Sequence, residues 1–129
     1  MSKILIVEDD PITAQVYSAH LVRAGYAVEV AVNAGVALKA LHEYQPEGLL
    51  IDFMMPGMNG LDLVRAIRKE PGFEDVPIII YSNAVLPMVV EQAKAAGVSH
   101  IFDKSNLNPG QLVQAFETAK LRGSPIPRG

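Results

Sequence analysis

The chain has 129 residues, a formal net charge of -3, 50% hydrophobic and 19% charged residues, and no cysteine. That length suits one domain burying roughly two-thirds of its unfolded surface, and the composition excludes a disordered chain. Without cysteine there are no disulfides, thiolate nucleophiles or thiol zinc sites, and without a Lys/Arg cluster direct nucleic-acid binding is not expected.

KILIV (3–7) is a short apolar run of strand length that ends on three acids, Glu8, Asp9 and Asp10. Like charges ~4 Å apart repel by roughly 4 kcal/mol at an effective dielectric near 20, so such crowding asks for a cation or a function. Val16, Tyr17, Leu21 and Ala24 follow at helical spacing, with Gly25 as the stop. YAVEVA (26–31) reads as the second strand, and Val36, Ala37, Ala40 and Leu41 mark the second helix. GLLID (48–52) is the third strand and ends on Asp52, after which Pro56, Gly57 and Gly60 force a loop that holds the carboxylate at an exposed tip. Leu61, Val64 and Ile67 carry the third helix. PIIIY (77–81) is the fourth strand, followed by a helix on Val89, Val90, Ala93 and Ala96 that Gly97 closes. HIF (100–102) is the fifth strand, and Leu112, Val113 and Phe116 carry the last helix.

Pro11, Pro87 and Pro109 stand where first helical turns begin. All strands but the second are continuously apolar, as in a sheet covered on both faces. The alternation predicts an α/β fold, a (βα)5 doubly wound five-stranded parallel sheet with right-handed crossovers. His20 shares helical spacing with Val16 and is expected to pack, while His100 opens the last strand and is assigned no chemistry. HEYQP (42–46) is similar to the phosphoacceptor box of sensor kinases, but it is one residue short and near a helix end; we read it as chance. GSPIPRG (123–129) reads as a flexible tail or the start of a linker. The apolar runs are too short to span a bilayer and the N-terminus lacks a signal-peptide pattern, so a cytoplasmic protein is expected.

In open parallel sheets the ligand site lies beyond the carboxyl ends of the strands. That rule gathers Glu8, Asp9, Asp10, Asp52, Ser82 and Lys104 at one end. Glu8, Asp9 and Asp52 form an oxygen-only set suited to a hard Mg2+ ion. Capping of the first helix is the alternative use of Asp9 and Asp10, but no helix follows Asp52 at once to give it that use. Without a cation, mutual repulsion is expected to raise at least one of these carboxyls. No phosphate-binding glycine loop with its lysine is present.

ILIVEDD, LLIDFMMPGMNGLDLV, IIIYSNA and FDKS, in this order and spacing, resemble the receiver domain of two-component response regulators. The resemblance covers residues 3–122 and implies a receiver over 1–122, of the stand-alone chemotaxis type, with the flavodoxin-like strand order 2-1-3-4-5. It implies that Asp52 accepts a phosphoryl group from a histidine kinase or phosphotransfer protein. Asp9 would bind Mg2+ directly, Glu8 through water and Met54 through its backbone carbonyl, leaving Asp10 as a helix cap. Ser82 matches the switch hydroxyl and Lys104 the lysine that pairs with a phosphoryl oxygen. Met54 and Ala84 match the positions that set the rate of dephosphorylation. A downstream protein would dock on the face of the fourth helix, fifth strand and fifth helix, including Met88, Glu91, Ile101 and residues from Gln111 onward. A monomer or weak dimer is expected, catalysing only its own phosphorylation and dephosphorylation.

Three departures concern readout: Ile101 replaces the family's aromatic switch, Ser105 the frequent cis-proline, and Asn83 the common alanine. Two other functions fit less well. An aspartyl-phosphate phosphatase would carry a second acid two residues past the nucleophile, where Met54 stands. A flavin module would need a hydroxyl-rich phosphate loop where Glu8, Asp9 and Asp10 would repel the phosphate. The tail is compatible with a receiver fragment of a longer regulator.

Overall fold

The computed structural model describes residues 2–55, 57–83, 85–106 and 108–123. Five strands alternate with five helices: β1 (Lys3–Val7), α1 (Pro11–Arg23), β2 (Ala27–Ala31), α2 (Ala34–Tyr44), β3 (Gly48–Asp52), α3 (Gly60–Arg68), β4 (Ile78–Ser82), α4 (Pro87–Ala95), β5 (His100–Asp103) and α5 (Pro109–Gly123). All pairings are parallel and the strand order is β2-β1-β3-β4-β5. The expected (βα)5 sheet with order 2-1-3-4-5 is the observed one.

The sheet splits the core in two, because successive side chains in a strand face opposite ways. Leu5, Val7, Leu49, Ile51, Ile78 and Ile80 pack with residues of α2 and α3. Ile4, Ile6, Leu50, Ile79 and Tyr81 pack with Tyr17 and Leu21 of α1 and with Leu112 and Phe116 of α5. Helix starts follow local rules. Asp10, Asn33 and Asn59 cap α1, α2 and α3 by accepting from Thr13, Val36 and Asp62 backbone N–H groups. Proline opens α1, α4 and α5. Gly25 and Gly97 follow α1 and α4 with positive φ, where a side chain would be strained.

Coverage on both faces holds for β1, β3 and β4 but not for β5, where His100 is exposed and Ile101, Phe102 and Asp103 are half-buried. β5 has only β4 as a neighbour, so an apolar run of three residues reads there as a fully covered strand when it is an edge. Val16 and Val36, expected on buried helix faces, are 46% and 44% exposed. The true stripes are Ala14, Tyr17 and Leu21 in α1 and Ala34, Ala37, Ala40 and Leu41 in α2. α4 buries only Ala93; Val89 and Val90 are half-buried. His20 is half-buried, although Val16, whose spacing it shares, is exposed.

HEYQP is the end of α2. His42 meets the Glu70 carboxylate at 2.8 Å, and Gln45 turns the chain in the left-handed region (φ 56°) with its amide on the His42 carbonyl. The helix end and the surface contact between His42 and Glu70 account for this segment without phosphoryl chemistry.

Candidate functional site

Three strands end side by side at the middle of the sheet and deliver the site. Parity puts Glu8, Asp52 and Tyr81 on the face that carries Ile6, Leu50 and Ile79. Asp52 stands level with Tyr81 in the β3–β4 ladder, so Ser82 lies one residue beyond it and level with Asp103 of β5. Glu8, Asp52 and Ser82 are almost fully buried, whereas Asp9 is exposed. The expectation of an exposed Asp52 is corrected here. The carboxylate sits at the floor of the site.

One oxygen from each of Glu8, Asp9 and Asp52 falls within a 4.8 Å cluster. This hard, all-oxygen donor set, with two members withdrawn from water, fits a small divalent cation. Lys104, in the single 3-10 turn Lys104–Asn106 after β5, places its Nζ 3.7 Å from Glu8 Oε1 and 3.8 Å from Asp52 Oδ2. Asp52 Oδ1 accepts the Met54 N–H at 3.0 Å. Glu8 Oε2 accepts the Asp10 N–H at 3.0 Å, and Glu8 Oε1 accepts the Tyr81 hydroxyl.

Burial pushes the Glu8 carboxyl up, against the Tyr81 hydroxyl and Asp10 N–H that favour its charged form. Burial likewise pushes Asp52 up, against the Met54 N–H and the Lys104 ammonium. A raised carboxyl is therefore present as expected, but desolvation outweighs the repulsion that the sequence suggested as its cause. Asp10 lies outside this cluster and caps α1; the Thr13 hydroxyl it accepts holds its carboxyl down.

Gly60 shapes the loop over Asp52. A Cβ there would stand 2.7 Å from Phe53 Cα and 2.9 Å from Asp52 O, so only glycine lets α3 start this close to the end of β3. Gly57, at φ 86°, makes the turn between them. Gly60 is the loop former that the sequence suggests, whereas Tyr81 is a site residue that the motifs do not single out. For Tyr81 a signal exists: a phenol within a run of isoleucines must find a buried partner.

The family model for the response regulator receiver domain matches residues 4–117. The chain belongs to this family. The receiver is 38% identical over 78 residues to the DNA-binding response regulator MtrA of Mycolicibacterium smegmatis, a match covering 60% of this chain and 33% of that protein. It is 34% identical over 83 residues to protein PilH of Pseudomonas aeruginosa, covering 64% of this chain and 69% of PilH. Its fold superposes on the Vibrio cholerae chemotaxis protein CheY4 with a TM-score of 0.87 at 28% identity, over 92% of this chain and 98% of that one.

The receiver's departures are visible in its last loop. Ile101 is half-buried against the Ile80 side of the sheet, level with Ile80, and Phe102 packs on the Tyr81 side. Ser105 donates its N–H (3.0 Å) and its hydroxyl (2.7 Å) to Asp103, which builds a local turn directly after Lys104. Met54 is 60% exposed beside the site. Ala84 and Pro56 lie outside the described residues, as does 124–129 of the tail. Met88 and Glu91 on α4, and Gln111 on α5, are exposed. Among the described residues no helix is long and apolar enough to cross a membrane.

Proposed function

We propose that this receiver, over residues 1–122, accepts a phosphoryl group on Asp52 in a Mg2+-dependent reaction and thereby changes its binding to a partner protein. The observation that carries the reading is the buried Asp52 carboxylate, within reach of the Glu8 and Asp9 oxygens and 3.8 Å from the Lys104 ammonium. An Asp52 oxygen forms the new O–P bond while the bond to the donor's leaving atom breaks and that atom keeps the electron pair. Such transfer depends on placement and on neutralising the equatorial oxygens, with little covalent help.

Glu8 and Asp9 would hold Mg2+ with Asp52 and the Met54 carbonyl, and the ion would offset the charge of an anionic donor approaching an anionic acceptor. Lys104 pairs with one phosphoryl oxygen, and the Ser82 hydroxyl donates to another. A histidine kinase or phosphotransfer protein is the donor of matching chemistry. The face of α4, β5 and α5, with Met88, Glu91 and Ile101, is the surface through which a partner reads the state, in the cytoplasm. A monomer or weak dimer suffices. The chain catalyses only its own phosphorylation and dephosphorylation.

Incubation with a small phosphodonor and Mg2+, followed by intact mass, tests the assignment. Wild type should gain one acid-labile phosphoryl group and Asp52→Asn none, with its fold intact because the amide is nearly isosteric. An undiminished signal in Asp52→Asn overturns the choice of acceptor. The length of MtrA, of which the match spans a third, favours as a second reading a receiver that forms part of a longer regulator. The reading frame beyond residue 129 decides between them.

A further inference from the structure

We propose that Tyr81 is a positioning residue of this site: its hydroxyl fixes the Glu8 carboxylate for the cation, and its ring seats Lys104 for the phosphoryl group. The inference rests on the receiver reading above and adds to it a residue outside the acids, hydroxyl and lysine already named. Tyr81 is completely buried, and its hydroxyl donates to Glu8 Oε1. The Asp10 N–H holds the other oxygen at 3.0 Å, so each end of the carboxylate has its own donor. Each oxygen keeps a second lone pair, which leaves Glu8 able to accept from water on a cation. The same ring lies under Lys104, whose Nζ is 5.3 Å from its centroid. That face-on attraction keeps the ammonium between Glu8 and Asp52, at 3.7 and 3.8 Å. Tyr17 packs edge-on against the ring, with centroids 5.2 Å apart and planes at 79°, and so fixes its plane. An aliphatic residue at 81 would fill the same core but supply neither the donor nor the ring face.

Groups that orient metal-binding acids typically change metal affinity ten- to a hundredfold when removed. Tyr81→Phe keeps the ring and the Lys104 contact and deletes only the hydroxyl. We expect its Mg2+ Kd, followed by amide NMR shifts, to rise about tenfold. Phosphorylation by a small donor should slow by a similar factor at low Mg2+ and recover to within about twofold at saturating Mg2+. In the Glu8→Ala background, which removes the acceptor, the same change should cost nothing further, because the hydroxyl acts through Glu8. An unchanged Kd, or a full effect retained in Glu8→Ala, overturns the inference. A measurement on wild type needs no variant: the Tyr81 13Cζ resonance should move with Mg2+ along the same curve as the site amides. A resonance that stays still while those amides move likewise overturns it. If wild type neither binds Mg2+ nor takes phosphate on Asp52, the receiver reading falls and this inference falls with it.

Discussion

The side chains beside Asp52 are expected to set how long a phosphoryl group accepted there would stay. Loss of the group requires a water aimed at phosphorus, and side chains that hydrogen-bond that water speed the step. Met54 offers only a thioether, and Ala84, its counterpart two positions past Ser82, offers nothing. Met54 is exposed beside the site, where its side chain would shield the phosphorus rather than orient a nucleophile. A long-lived phosphoryl state is the expected outcome. Met54→Asn combined with Ala84→Glu should speed phosphate loss about tenfold, equivalent to about 1.4 kcal/mol of barrier. The check is decay after donor removal with Mg2+ present throughout; equal half-lives would show that these two positions do not set the lifetime. Glu8, Asp9 and Asp52 were legible as a site because a charge that ends an apolar run needs a reason. Tyr81 was not, because its hydroxyl matters only once β3 and β4 are in register and Glu8 lies across from it.

The strands were legible almost to the residue, since β1, β3 and β4 have continuous apolar centres flanked by acids, glycine or proline. Which strands lie at the edges came only with the family resemblance and its order 2-1-3-4-5, because edge position is a property of order in the sheet and leaves little trace in a run as short as HIF. The helix faces were blurred by exposed valines. Val16 and Val36 fit a 3.6-residue stripe as well as their buried neighbours do, and only packing separates them. The β3–α3 connection shows how an element boundary shapes chemistry. Gly60 lets the α3 N-terminus rest on the Asp52–Phe53 backbone, and its N–H donates to the Phe53 carbonyl at 2.9 Å. Gly60→Ala forces backbone against a methyl group, an overpacking that costs about 1–3 kcal/mol. It should also slow phosphorylation by shifting Met54, whose N–H orients Asp52. Gly57→Ala has open space around it and only the positive φ to resist, about 1–2 kcal/mol. Urea melts with donor kinetics separate the two: Gly57→Ala should lose stability while keeping a near-normal rate at saturating donor.

The folded domain as a whole carries the cost of keeping two carboxylates out of water. Glu8 and Asp52 both ionise at higher pH in the folded chain than in the unfolded one, chiefly because they are buried. The folded state therefore holds extra protons above the unfolded carboxylate range near pH 4. The stability these two groups contribute is present below that range and is lost as pH rises through their folded values. Asp10 and Asp103 act in the opposite sense. Donors from Thr13 and Ser105 hold them low, so their share is present above about pH 4 and fades on acidification. Comparing wild type with Asp52→Asn isolates the site from such surface terms. In EDTA, Asp52→Asn should melt above wild type at pH 7, and the gap should close towards pH 4. A cation binding only the folded state reverses the handicap by RT ln(1 + [Mg2+]/Kd). That is about 1.4 kcal/mol at roughly ten times Kd, or about 4–6 °C for a domain of this size. Thermal melts at pH 7 with and without Mg2+ should show that rise in wild type and lose it in Asp9→Ala. Asp9 is the suitable control because it is exposed, so its removal takes away a proposed ligand without opening the core. Equal melting temperatures with and without Mg2+ in wild type would show that no divalent cation relieves the buried charge, and the metal assignment for Glu8, Asp9 and Asp52 would fail.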